Sequence, residues 1–340
     1  MNSLAKKGKF FARSAISKCL EKLGHLDRKL SSTNNSVWLV MTYHRVIADS
    51  GDDPFQLGMC VKENHFSDQM KWLSSKFEVW TPQDVVNCMQ SGETLPRKLA
   101  SVTFDDGYLD NLENAAPILD LHKCPWAIYV ATDAVEGKRP FWWDIAIQAT
   151  RNCRVSSLEL SELAIEGLVG NLRMNSLNIA ESLETLLTQL WTLPTNELRY
   201  RAVSRLAEHL NSPVEHDLPK ILGPEQVKQL SDSGVEIGAH SQSHPDLAAL
   251  TEEGTRNELT RSRSLIEQWT GTNVQGCAYP GGFSSRSVEK VAEDSGFSYA
   301  MGTDRGWNDG DFQRFNVNRV GAPDDTSVSL KFSLSMLPLS

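Results

Sequence analysis

The chain has 340 residues, 40% of them hydrophobic and 23% charged, and carries a net charge of -9 at pH 7. This is ordinary globular composition, with length for a large core: one domain of barrel size plus an insertion fits as well as two domains. The acidic balance argues against a general nucleic-acid binder.

The charge is uneven along the chain. Within residues 1–30, Lys6, Lys7, Lys9, Arg13, Lys18, Lys22, Arg28 and Lys29 stand against Glu21 and Asp27. Phe10, Phe11, Ala15, Ile16, Leu20 and Leu23 recur at near-helical spacing among them, so residues 4–30 are expected to form a basic helix. Such a helix either packs as a terminal helix or lies on an anionic membrane surface. No apolar run approaches the ~18 residues of a membrane span. Lys and Arg interrupt the N-terminus throughout, unlike a secretory signal. The six cysteines, Cys19, Cys60, Cys88, Cys124, Cys153 and Cys277, form no Cys-x-x-Cys pair. They read as reduced thiols in a reducing compartment. A cytoplasmic protein is the expectation, with residues 4–30 either a packed terminal helix or a peripheral dock on the inner membrane.

From Val37 strands and helices alternate. Val37–Tyr43 is a continuous apolar run, the pattern of a strand buried on both faces. Asn64–Ser75 reads as a helix, and Thr81-Pro82 opens another with Thr as N-cap. Leu99–Phe104 is a strand, Asn111–His122 a helix and Trp126–Ala131 a strand. From about Trp142 to Leu222 the alternation stops, and the composition predicts a helical insertion without strands. It resumes with a helix at Pro224–Ser233, a strand at Val235–Ala239 and a helix at Thr251–Thr270. A strand at Val274–Tyr279, a helix at Ser285–Ser295, a short strand at Tyr299–Gly302 and one more within 315–321 complete it. This order predicts an α/β fold with a parallel sheet or a (β/α) barrel.

Each polar cluster of interest follows a predicted strand: His44 after Val37–Tyr43, Asp105-Asp106-Gly107 after Leu99–Phe104, His240-Ser241-Gln242-Ser243-His244 after Val235–Ala239, and Tyr279-Pro280-Gly281-Gly282 after Val274–Ala278. In a (β/α) barrel these positions meet at one face, where active sites lie. Adjacent acids on an extended strand point to opposite faces, so Asp105 and Asp106 can take different tasks. Two His and one Asp make a plausible three-ligand catalytic zinc site. Alone, Asp-Gly is a turn signal and two His four apart are as often surface residues. Pro245 argues against a regular helix through His244.

Thr103-Phe104-Asp105-Asp106-Gly107-Tyr108 and His240-Ser241-Gln242-Ser243-His244 resemble the first two motifs of the polysaccharide deacetylases, the NodB-homology carbohydrate esterases. The resemblance spans about residues 37–320, less the insertion. It implies a distorted (β/α) barrel; with the residue pattern this divides the chain into a basic helix in 1–36 and a deacetylase domain over 37–340 with a helical insertion at about 142–222. It implies that Asp105 is the base and that Asp106, His240 and His244 hold a divalent metal, most often zinc. The family's third motif places Arg where this chain has Ala278, and Arg319 is the candidate substitute. The Gly281 N–H is the candidate oxyanion donor. No Leu-x-His motif follows His244. His44 instead resembles the early acid His of the poly-N-acetylglucosamine de-N-acetylase branch, as does Glu63–Leu73. Tyr108, Tyr279, Pro280 and Trp143 are candidate sugar contacts, as are Phe141, Trp142 and Trp307, against the alternative of core packing. The implied reaction is metal-assisted hydrolysis of an acetyl group on an amino-sugar glycan, with water as nucleophile and His44 as acid, in exopolysaccharide biosynthesis. O-deacetylation is one alternative, and a non-catalytic carbohydrate-binding module is the other.

Overall fold

The computed structural model describes residues 36–49, 58–174, 178–212, 218–309 and 312–337, with Gly24, Arg28, Asp53, Phe55 and Gln56 in addition. Apart from Gly24 and Arg28, the basic helix expected over residues 4–30 lies outside the described residues. Among the described residues no helix is long and apolar enough to cross a membrane. The chain divides into two compact units. One comprises residues 1–49, 58–136 and 222–340, the other residues 50–57 and 137–221.

The first unit holds strands β1 (Val37–Tyr43), β2 (Glu78–Val79), β3 (Lys98–Phe104), β4 (Trp126–Val130), β5 (Glu236–Ala239), β6 (Gly276–Ala278), β7 (Tyr299–Met301) and β8 (Val320–Gly321). They form one sheet in the order β7-β6-β5-β4-β3-β1-β8, with β2 beside β3. Every pairing is parallel. Helices α1 (Glu63–Lys76), α2 (Pro82–Ser91) and α3 (Ala116–His122) belong to the same unit. The second unit contributes α4 (Trp142–Arg151), α5 (Ile179–Thr192) and α6 (Asn196–His209). The first resumes with α7 (Pro224–Asp232), α8 (Glu252–Thr270), α9 (Arg286–Asp294) and α10 (Ser327–Ser335). The architecture is the expected distorted (β/α) barrel. Its strands read as unbroken apolar runs because they are buried on both faces: Leu39, Val40 and Met41 have no exposed surface. Each such side chain contributes about 1.5–3 kcal/mol over an exposed one.

The tract 317–321 reaches both ends of this sheet. Val317 forms a parallel bridge to Met301 of β7. Val320 and Gly321 pair with Met41 and Thr42 of β1. The ladder of β8 is two residues long, so side chains must supply much of its attachment.

The strand ends that carry polar clusters rest on a common aromatic floor. Tyr43, the last residue of β1, stacks on Phe104, the last residue of β3, at 5.5 Å between ring centroids. Phe66 of α1 packs edge-on against both, at 5.0 and 5.8 Å. His44 and Asp105 follow directly, so this cluster sets where both emerge. Helix entry follows the sequence signals. Thr81 accepts a hydrogen bond from the Asp84 N–H (3.2 Å) ahead of Pro82, and Thr251 from the Gly254 N–H (3.1 Å).

Three local elements depart from expectation. Residues Asn111–Ala115 form a wider π turn before α3. There the Asn111 amide donates to the His44 carbonyl (2.8 Å). In the second unit Ser157–Glu159 and Asn171–Arg173 pair as an antiparallel hairpin, where no strand is expected. Each strand buries a single leucine, Leu158 or Leu172, too few residues for an alternation to register. Arg45–Ile47 and Cys60–Lys62 form a separate parallel pair.

Candidate active site

The Asp105 N–H bonds the Tyr43 carbonyl (3.0 Å), extending the β1–β3 ladder by one residue. The backbone then turns left-handed at Asp106 (φ 77°) and Gly107 (φ 91°). The two carboxylates are therefore separated by a left-handed turn and not by the pleat of a strand, as the sequence pattern suggests. Gly107 is required twice here. Its φ favours glycine, and a Cβ would lie 3.1 Å from Val130 Cγ1.

The turn aims Asp106 at the loop after β5. His240 Nε2 lies 3.5 Å and His244 Nε2 3.4 Å from the same Asp106 oxygen. All three residues are buried, and their ligand atoms lie within 4.8 Å of one another. His240 Nδ1 donates to the Ala278 carbonyl (2.8 Å). A carbonyl can only accept, so Nδ1 carries the proton and Nε2 keeps its lone pair toward the centre of the group. Burial pushes the His240 imidazole down to about 4, against the pull of Asp105, which keeps it neutral at pH 7. Burial raises the Asp106 carboxyl, but His244 and the neighbouring imidazoles outweigh it and hold the group below the ordinary carboxylate range. Two imidazoles and a carboxylate converging in a buried space fit a divalent metal ion.

The His-bearing loop adopts unusual backbone to present these atoms. Ser241 (φ 62°) and His244 (φ 55°) are left-handed. Together with Asp106, these are three non-glycine residues in a conformation costing on the order of 1–3 kcal/mol each. Polar anchors offset that cost. The Glu258 carboxylate of α8 accepts the Gln242 N–H (2.9 Å), the Ser243 N–H (2.8 Å) and the Ser243 hydroxyl (2.7 Å). Ser241 Oγ accepts the His244 N–H (3.0 Å). The Asp133 N–H donates to the Gln242 carbonyl (2.9 Å), and Asp133 Oδ1 accepts from the Gln242 side chain (3.1 Å). Sequence reading misses Glu258 and Asp133, because both are ordinary helical acids until the loop folds onto them.

Asp105 faces the other way. Arg319 grips it in a bidentate pair, Nη1 to Oδ1 and Nη2 to Oδ2, both at 2.8 Å, while its Nε donates to the Gly302 carbonyl (2.8 Å). Arg319 is 2% exposed and Asp105 4%. Burial alone would raise the Asp105 carboxyl, but the guanidinium, with His240 and His44 behind it, holds it well below the usual carboxylate range. Asp105 is thus a buried, charged carboxylate with both oxygens held by Arg319. Ala278, where the motif would carry Arg, contributes its carbonyl to His240 instead.

His44 is partly exposed, follows β1 directly and acts electrostatically on both Asp105 and Asp106. Gly281 occupies the turn Pro280–Gly282 with φ 61°. The sugar contacts expected from sequence need correction. Tyr108 and Tyr279 have no exposed surface: Arg45 covers the Tyr108 ring at 5.0 Å, and the Tyr279 hydroxyl donates to the Phe315 carbonyl (2.9 Å). Pro280 is buried. Trp143 belongs to the second unit, where it stacks on Phe141 at 4.4 Å. Trp142 and Trp307 are buried too. These rings are spent on packing. The exposed aromatic beside the Pro280–Gly282 turn is Phe283.

Comparison with known proteins agrees with this geometry. The polysaccharide deacetylase family model matches residues 174–300, the segment that carries His240 and His244. The peptidoglycan deacetylase of Helicobacter pylori (strain ATCC 700392 / 26695) is 33% identical over 110 residues, 32% of this chain and 35% of that one. The Streptococcus pyogenes deacetylase PplD in complex with acetate superposes with a TM-score of 0.57 at 14% identity, covering 87% of this chain and 97% of its own. The de-N-acetylase from Aggregatibacter actinomycetemcomitans superposes with a TM-score of 0.55 at 15% identity, covering 87% of this chain and 100% of its own. The fold is therefore shared over most of the chain, while the family model matches the segment that carries the histidine loop. Residues 174–300 thus match the polysaccharide deacetylase family, and with relatives named as deacetylases this supports an enzyme of that class of hydrolases.

Proposed function

We propose that the chain hydrolyses the acetamide of an N-acetylated amino sugar in a glycan, releasing acetate and a free amine. One observation carries this reading: a charged, arginine-clamped Asp105 stands beside a buried Asp106–His240–His244 group that fits a divalent metal. Zinc suits that donor set. Such an ion, held by these three residues, supplies Lewis-acid polarisation of the carbonyl and lowers the pKa of water.

The protein's own groups do the rest. Asp105 accepts the proton of the attacking water, and its clamp keeps it ionised and aimed. The Gly281 N–H is the proposed donor to the oxygen that gains charge as the carbonyl carbon becomes tetrahedral. His44 donates a proton to the sugar nitrogen as the C–N bond breaks, so the amine leaves neutral. An early acid His is the pattern of the poly-N-acetylglucosamine de-N-acetylases. With the de-N-acetylase among the structural neighbours, it favours an amide over an ester substrate.

Asp105→Asn tests the assignment. The variant should bind zinc as the parent does, by elemental analysis, and should lose at least about 100-fold in acetate release from acetylated amino-sugar oligosaccharides. Full activity in Asp105→Asn would remove the base from the scheme.

A further inference from the structure

Helix α1 carries a polar face that the catalytic scheme leaves unused. Gln69 has no exposed surface. Its amide Nε2 donates to the carbonyls of Pro323 (2.8 Å) and Asp325 (2.6 Å), and its Oε1 accepts the Tyr43 hydroxyl (2.8 Å). One turn away, His65 Nδ1 lies 2.8 Å from Asp324 Oδ1, which also accepts the Lys62 N–H (2.9 Å). The Asp68 carboxylate accepts the Ser327 N–H (2.7 Å). Pro323, Asp324, Asp325 and Ser327 are thus all fastened to α1 or to the residue before it.

What this tract continues gives the fastening its meaning. It follows β8, whose two-residue ladder with β1 is extended only by the Ala322 N–H to the Thr42 carbonyl (3.1 Å). Arg319, the clamp on Asp105, sits immediately before β8. At the other end of the Gln69 side chain, Tyr43 immediately precedes His44. A glutamine amide offers two donors and one acceptor in one plane, the set needed to join two carbonyls to one hydroxyl.

We propose that Gln69 is a positioning residue that ties the arm carrying Arg319 to the strand end carrying His44, and so sets the base and the acid against each other. The proposal rests on the roles given above to Asp105 and His44. Without the amide, the closing arm retains its short ladder, the bonds of Lys62, His65 and Asp68 to Asp324 and Ser327, and the N–H bonds of Asn318 to Asn308 and of Arg319 to Asp304, but loses its link to the Tyr43 hydroxyl. Arg319 keeps its bonds to Asp105, Gly302 and Asp304, but its arm can shift relative to the strand end that carries His44, and a displacement of about 1 Å in a reacting group can cost on the order of 100-fold in rate.

The test compares Gln69→Met, similar in volume but without the three bonds, with Tyr43→Phe, which severs the His44 side alone. Gln69→Met should lower kcat by about 10- to 100-fold with KM changed less than about twofold. It should also shift or broaden the Arg319 Nε–H signal in a 15N NMR spectrum, assigned by its loss in Arg319→Met. Tyr43→Phe should lower kcat while leaving that signal in place. Parental kcat in either variant overturns the proposal, as does a parental Arg319 signal in Gln69→Met. Should Gln69→Met not fold, Tyr43→Phe alone decides by the same kcat criterion. If the parent protein releases no acetate, the functional reading fails. The Arg319 signal in Gln69→Met then still decides whether the tie exists.

Discussion

Replacing Arg319 by Met removes a guanidinium that is 1% exposed and leaves its partner, Asp105, buried. Two charge-assisted hydrogen bonds of 2.8 Å are lost together with the countercharge. Breaking one side of a buried pair costs about 3–5 kcal/mol, because the remaining charge has neither water nor partner. The pH dependence reverses as well. In the parent, the Asp105 carboxyl lies below its unfolded value of about 3.9, so its contribution is present above that pH and fades as pH falls through the folded value. In Arg319→Met, burial acts with much less opposition, and the folded value moves above 3.9. The folded state then binds more protons than the unfolded chain, so stability falls as pH rises from about 4 until the carboxyl ionises. Urea unfolding of the metal-free protein at pH 4, 5, 6 and 7 should therefore show a deficit that widens with pH. Asp105→Asn in the Arg319→Met background should recover part of it at pH 7. A deficit below about 1 kcal/mol at pH 7, or one independent of pH, would refute the view that Arg319 holds a buried charge.

Two further outcomes follow from groups around the site. Glu258→Ala removes three hydrogen bonds that hold the His240–His244 loop in its left-handed conformation. Zinc affinity by competition titration should fall about 10- to 100-fold, and unchanged affinity would show that the loop holds itself. Glu236, buried at the start of β5, accepts from Tyr299 and from the Gln83 N–H (2.8 Å), and burial pushes its carboxyl up to about 8. Its folded value is raised, so stability should decline from about pH 4.5 and level off above pH 8, at up to ~1.4 kcal/mol per pH unit. Glu236→Gln should remove that slope in thermal unfolding, and a slope that persists would place its origin elsewhere.

Much of this molecule is legible along the chain because its signals are local. The apolar run Val37–Tyr43 marks a doubly buried strand, Thr81-Pro82 a helix start, and Asp105-Asp106-Gly107 a turn at a strand end. Helix and strand periods, caps and motif spacing are properties of a few neighbouring residues, and so is the chemical character of Asp105, Asp106, His240 and His244. The hairpin of Ser157–Glu159 and Asn171–Arg173 escapes because three residues with one buried leucine carry no period.

Tertiary structure alone decides who faces whom. Arg319 stands 214 residues from Asp105; the chain offers it as a candidate substitute for the missing motif arginine, but its bidentate grip exists only once β8 closes against β1. Gln69 and Glu258 look like solvent-facing helical residues until the tract 323–327 and the histidine loop fold onto them. Tyr108 and Tyr279 sit beside the motif residues in sequence, yet the barrel turns both rings inward. Composition and spacing determine which groups the chain can bring to a site. Long-range closure determines their charge state and separation, because both depend on the low-dielectric surroundings that only the assembled barrel provides.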